Sequence, residues 1–181
     1  MKKALVFLLA SVFCVSLSAA DYTLDKTHSQ VEFKIKHLSV SNVKGSFGVF
    51  DGKLSAENGK LTALSGEVDI NSVNTNNKNR DEHLLADDYF NAKKFPKATL
   101  KLVKIQGENG IFDLTIRGVT KQVKLGVEIF GVTKDERSGQ EVIGLSLNGK
   151  INRKDFGIAK GTPNVALGDE VSLTIDIEGR K

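Results

Sequence analysis

Val31-Glu32-Phe33-Lys34-Ile35-Lys36 sets an apolar side chain at every second position and a charged one at every other. In extended backbone successive side chains point to opposite faces, so this period of two describes a strand with one apolar face and one wet face. The pattern returns at Val68 and Ile70, at Leu100 and Leu102, and through Phe112, Leu114 and Ile116. It continues through Val123, Leu125, Val127 and Ile129, then Ile143, Leu145 and Leu147, then Val171, Leu173, Ile175 and Ile177. Val43, Phe47 and Val49 form a looser version interrupted by glycine. About eight strands follow, and the fold class is all-β.

Between these runs stand Asp51-Gly52, Asn58-Gly59, Asn109-Gly110 and Ser138-Gly139, residue pairs that tolerate positive φ in tight hairpins. Sequential antiparallel strands are therefore expected. The two prolines, Pro96 and Pro163, fall in connections. Only Asn76 to Phe90 departs from the pattern, with Asn, Asp, Lys and Arg followed by Leu84, Leu85, Tyr89 and Phe90. It predicts one short helical insertion capped by Asn76 or Asn77, with Leu84 and Leu85 toward the sheet. A sheet of this kind buries its apolar face by closing on itself or by stacking as a sandwich, and alternation does not choose between them. Closure of about eight strands leaves an interior that side chains fill or one slender ligand occupies.

Lys2 and Lys3 precede an apolar run from Ala4 to Leu17 and then Ser18-Ala19-Ala20, the pattern of a secretory signal peptide over residues 1–20. One domain, 21–181, follows, and export is expected. The single cysteine, Cys14, lies within that leader, so the domain has no thiol for disulfides, zinc–thiolate sites or nucleophilic catalysis. Lys2 and Lys3 are two of the 26 basic residues that face 22 acidic ones. The near-balance that remains gives no reason to expect nucleic acid. No run after the leader predicts stable membrane insertion.

Read in order, several exceptional stretches resemble the YceI family. They are Tyr22-Thr23-Leu24-Asp25, Thr27-His28-Ser29, Phe33, His37-Leu38, Gly45-Ser46-Phe47, Asn79-Arg80-Asp81-Glu82-His83-Leu84 and Phe95-Pro96. Leu114-Thr115-Ile116-Arg117-Gly118-Val119-Thr120-Lys121 and Ile151-Asn152-Arg153-Lys154-Asp155-Phe156-Gly157 complete the series. The resemblance implies a single antiparallel lipocalin-like β-barrel, exported to the periplasm or beyond, dimeric, and holding a long isoprenoid or fatty chain in its lumen. The absence of tryptophan and the Lys- and Asn-rich run before Arg80 depart from the family pattern and leave the ligand's identity open.

For such a ligand the chemistry asks only for a dry apolar tube. Each buried methylene contributes about 0.8 kcal/mol, so ten supply roughly 8 kcal/mol before ordering costs. Parity nominates Phe33, Ile35, Phe47, Leu84, Leu85, Phe90, Phe95, Leu114, Ile116 and Phe156 as wall. His37 shares the parity of Phe33 and Ile35, and Arg80 carries a fork suited to a polar head group. Core packing explains any one of the apolar residues equally well, and a strand-end hydrogen bond explains His37. Arg80, Asp81 and His83 serve either a head group or the helix's attachment to the rim; Arg153 and Asp155 could latch a turn. No metal site is expected, because His28 and His37 point to opposite faces of a continuous strand, although a bend near Ser29 would undo that opposition. No catalytic set is expected, because no nucleophile, base and orienter can be assembled from the spacing. Gly144-Leu145-Ser146-Leu147-Asn148 also lacks the second glycine of a nucleophile elbow. No cofactor is expected. The rival readings are an enzyme acting on a lipid-like substrate, with His37, Arg80 and His83 at the mouth, and a barrel with a filled core.

Overall fold

The structure, a computed structural model, describes residues 19–181. Residues 1–18 of the expected leader, Cys14 included, lie outside the described residues.

The strands are β1 (Ala20–Leu24), β2 (Gln30–His37), β3 (Ser41–Phe47), β4 (Phe50–Glu57), β5 (Lys60–Asp69) and β6 (Val73–Asn74). After the helix α1 (Lys78–Leu84) come β7 (Lys97–Gln106), β8 (Asn109–Ile116), β9 (Val119–Lys134), β10 (Glu141–Asn152) and β11 (Leu167–Arg180). All pairings are antiparallel. β1, β4, β5, β7, β8, β9, β10 and β11 form a ring that closes where Thr23 and Leu24 meet Arg180 and Gly179. The face is thus buried by closure. β2 lies against the first part of β11, with Phe33 opposite Leu173, and β3 and β6 continue outward from it.

The eight alternating runs of the sequence survive as eight passes of chain, but three of them are broken. β1 is separated from β2 by Asp25 to Ser29, β3 from β4 by Gly48 and Val49, and β5 from β6 by a 3-10 turn, Ile70–Ser72. Local hydrogen bonds make these breaks. The Asp25 amide donates to Glu178 O at 2.7 Å, and the Asp25 carboxylate accepts from the Thr27 amide. The Gly48 amide donates to Ser72 O, the Val49 amide to Ser72 Oγ, and the Asp69 amide to Val49 O. Asp69 caps the 3-10 turn by accepting from the Asn71 amide. Several backbone groups that leave the ladder here find another partner, which helps make the interruption tolerable.

Two of the expected turns lie elsewhere. Asn58-Gly59 closes β4 to β5 with both residues at positive φ, and Ser138-Gly139 lies in the β9–β10 connection. Asp51-Gly52 instead sits inside β4, where a Cβ on Gly52 would come within 2.9 Å of Ser65 O. Asn109-Gly110 lies in β8, and a Cβ on Gly110 would strike the Phe112 ring. These glycines serve close approach within the sheet rather than reversal of the chain.

The interior divides along the barrel. Around β8, β9 and β10, Phe112, Leu125, Ile143, Leu145 and Leu147 are wholly buried and pack with Tyr22 and Leu54 into a solid core. Toward β2 and β3 the inward residues Val31, Phe33, Ile35, Val43 and Phe47 are only half-buried, because they face open space. No helix among the described residues is long and apolar enough to cross a membrane.

Candidate functional site

The open part of the interior is a cavity of about 460 Å³. That lies within the range of small-molecule sites, about 300–1,000 Å³. Its wall is mostly apolar. Nine of the twelve residues nominated from sequence line it: Phe33, Ile35, His37, Phe47, Arg80, Leu84, Phe90, Leu114 and Ile116. Three aromatic rings form a chain along one side, with Phe33 to Phe47 at 5.8 Å between centroids and Phe47 to Phe90 at 5.9 Å, edge-on. Gly45, directly opposite Phe33 in the β2–β3 ladder, makes room for that ring. A Cβ there would collide with it and would also sit 2.8 Å from Thr75 Cγ2.

Leu85, Phe95 and Phe156 do not line the cavity and correct the expectation for those positions. Leu85 follows Leu84 at the end of α1 and packs half-buried against the core. Phe95 lies against Gly118 of the β8–β9 turn, with Lys94 Nζ 5.3 Å from its ring centre. Phe156 is buried in the core cluster within a 3-10 turn, Arg153–Phe156. Period-two counting has no authority in a helix, a loop or a 3-10 turn, and all three residues sit in such segments. Conversely, Val43, Val171, Leu173 and Ile175 line the cavity and have the parity of their strands, a signal present in the sequence. Tyr89 and His83 also line it, their rings stacked edge-on at 4.6 Å.

The insertion is held by a compact polar knot. Asn77 caps α1 by accepting from the Arg80 amide at 3.0 Å. Buried Thr75 gives its amide and its hydroxyl to Asp81 Oδ1 at 2.8 and 2.6 Å. Arg80 Nε donates back to Thr75 Oγ1 at 2.7 Å and Nη2 to Thr75 O at 2.8 Å. Asp81 and Arg80 therefore both fasten the helix, while Arg80 also faces the cavity. Arg117 ties the same end together by donating to Gly157 O and to Asp87 O.

Arg153 is 1% exposed and does not pair with Asp155. Its Nη2 bonds Asp169 Oδ1 at 2.8 Å and reaches the carbonyls of Thr162 and Leu167, while Nε donates to Gly168 O and Nη1 to the carbonyls of Ile158 and Ala159. One guanidinium thus organises the whole β10–β11 connection. Such a planar fork suits a site where several carbonyls converge.

His28 and His37 are not brought together. His28 lies in the break between β1 and β2 and contacts Asp25 at 3.0 Å, whereas His37 ends β2 at the cavity. Asp25, His28 and Glu178 place one ligand atom each within 4.8 Å. Arg180 already bonds both acids, at 2.6 and 2.7 Å, so a metal ion would have to displace that cation. His37, Arg80 and His83 share the cavity wall, yet no hydrogen bond joins them among the described residues.

Residues 22–179 match the model of the YceI-like domain. The chain belongs to the YceI family. A UPF0312 protein of Staphylococcus aureus strain N315 is 37% identical to this YceI chain over 87% of its length and 96% of the relative's. The crystal structure of the Campylobacter jejuni YCEI protein, which crystallizes with large solvent channels, superposes with a TM-score of 0.73 at 44% identity. That match covers 88% of this chain and 97% of the other. A polyisoprenoid binding domain from Saccharophagus degradans shares the YceI barrel at 18% identity, with a TM-score of 0.66 over 87% of this chain and 97% of its own.

Proposed function

We propose that this protein is a binding or carrier protein that holds one long apolar molecule, an isoprenoid or a fatty amphiphile, and makes or breaks no bond. The observation that carries this reading is the cavity itself, an apolar space of about 460 Å³ enclosed by a barrel whose other half is packed solid. A core that only served stability would have been filled, since side chains elsewhere in this barrel reach zero exposure. The named ligand class of the Saccharophagus degradans domain agrees with this reading, although that likeness is one of fold. On the cavity wall Arg80 and His83 offer donors to a head group.

Organic extraction of the purified protein followed by mass spectrometry tests the reading, and a co-purifying polyprenyl or fatty molecule is the expected result. An empty protein that also takes up neither a fluorescent polyprenyl nor a fatty acid probe would overturn it. Phe33→Asp places a carboxylate in the tube and is expected to abolish uptake while circular dichroism shows the strands intact, because burying an unpaired charge is costly. Uptake retained by a folded Phe33→Asp protein would put Phe33 outside the ligand's path.

We further read the protein as exported through its basic and apolar leader and as a homodimer. Cell fractionation with N-terminal mass analysis, and light scattering of the purified protein, are the respective tests. A protein that stays in the cytoplasm, or a monomer at micromolar concentration, would reject each.

A further inference from the structure

A lipid carrier must meet its cargo somewhere, and the β2–β3 hairpin carries features that neither the barrel nor the cavity requires. Leu38 and Ser39 at its tip both take positive φ, 49° and 58°. This is the geometry of the mirror-image turns that close two-stranded ribbons, and Asn-Gly fits it without strain. Here a leucine adopts it instead, against its steric preference, and its side chain is 57% exposed. Val40, at 85%, stands beside it. Val165, at 70%, is brought alongside from the β10–β11 connection, where Leu38 N donates to Ala166 O at 3.0 Å and Ser39 Oγ to Val165 O at 3.4 Å.

The wet face of the same hairpin breaks a second rule. Lys34 and Lys44 are directly opposite each other, and Lys36 stands two residues from the tip. Like charges in that position repel across a ladder. Among the described residues no ion pair joins any of the three to an acid, so their charges stand uncompensated beside one another. One strained leucine and two exposed valines at a tip, above lysines without ion pairs, fit a surface with an apolar interior and an anionic rim. The cavity reaches this point: His37, adjacent to Leu38, and Leu167, paired with His37, both line it.

We propose that Leu38, Val40 and Val165, with Lys34, Lys36 and Lys44, form a foot that seats the cavity on the surface of an anionic lipid bilayer. The side chains enter the interface, the lysines meet the phosphates, and a lipid tail passes along His37 without crossing open water. This rests on the carrier reading above, and the experiment separates the two.

Soluble protein recovered from expression of the full chain, its N-terminus read by mass spectrometry, is floated with vesicles of phosphatidylcholine containing phosphatidylglycerol, and with phosphatidylcholine alone. Wild type should float with the anionic vesicles, less so in high salt. The variant Leu38→Asn, Val40→Thr, Val165→Thr and the variant Lys34→Gln, Lys36→Gln, Lys44→Gln should each lose about tenfold or more in vesicle affinity. Both should still take up a fluorescent fatty acid from detergent micelles as wild type does, and both should pick it up more slowly from vesicles. Normal uptake from micelles with unchanged vesicle binding in both variants overturns the foot alone. Loss of a dimer in the apolar variant, with vesicle binding intact, overturns it too and makes the tip an interface between copies. A wild type that takes up nothing from micelles instead overturns the carrier reading.

Discussion

Arg153 shows how much one side chain can organise. Its five carbonyl acceptors and the Asp169 carboxylate come from the fifteen or so residues that follow it, and they set the path of the β10–β11 connection against the cavity. Replacing it with methionine keeps bulk but removes every donor. Buried carbonyls left without partners cost about 1–3 kcal/mol each, so Arg153→Met is expected to lose about 3 kcal/mol or more. Urea unfolding would measure this, and a loss under about 1 kcal/mol would mean that water replaces the guanidinium freely. The residue type was visible in the sequence. Its partner was not, since Asp155 is nearer in sequence than Asp169 but lies exposed at the surface of the 3-10 turn.

At the scale of elements, the closure of β11 on β1 carries an ionic network with a pH signature. Arg180 bonds Asp25, Asp135 and Glu178 at 2.6, 2.8 and 2.7 Å. The His28 ring, with the Thr27 amide and Arg180, holds the Asp25 carboxyl well below the usual carboxylate range. The Arg137 amide, then Arg180 and Ser138, bring Asp135 down to about 2. Carboxyls lowered by folding contribute stability that is present above about pH 4 and lost as the pH falls through their folded values. Tyr22, on β1, is the opposite case: burial, then its 2.5 Å hydrogen bond to Glu141, pushes it up to about 12. Its contribution is complete below about pH 10 and lost as the pH rises through 12. Thermal melts should therefore show a plateau bounded by an acid limb below about pH 4 and an alkaline limb above about pH 10. Arg180→Met should make the acid limb shallower without removing it, since His28 and the Arg137 amide remain, and leave the alkaline one in place. An unchanged acid limb in that variant would assign the acid sensitivity to other carboxylates.

The whole molecule is two devices in one wall, a solid plug and a tube. Leu145 belongs to the plug and Leu173 to the tube, though both are leucines at inward positions of neighbouring, paired strands. Leu145→Ala opens a void in packed surroundings and should cost about 2–5 kcal/mol. Leu173→Ala only enlarges a space already present, so its cost should stay below about 2 kcal/mol while it weakens retention of an apolar probe. Chemical denaturation and probe titration of the two variants would show whether stability and binding divide in this way. Equal stability losses would mean that the tube is as closely packed as the plug in solution.

Alternation, an all-β class, eight passes of chain, one short helix capped by Asn76 or Asn77 and the parity of most wall residues were determined by the sequence alone, the structure choosing Asn77. Each depends on residues within a few positions of one another, where backbone geometry dictates the face. Only the tertiary structure decided that the sheet closes and that three passes break beside one another. It also decided that Asp51-Gly52 and Asn109-Gly110 lie in strands, that Phe95 and Phe156 face away from the cavity, and that Arg153 serves Asp169. Those outcomes depend on what stands opposite a residue across the barrel, and an inward-facing side chain does not record whether it meets another side chain or empty space.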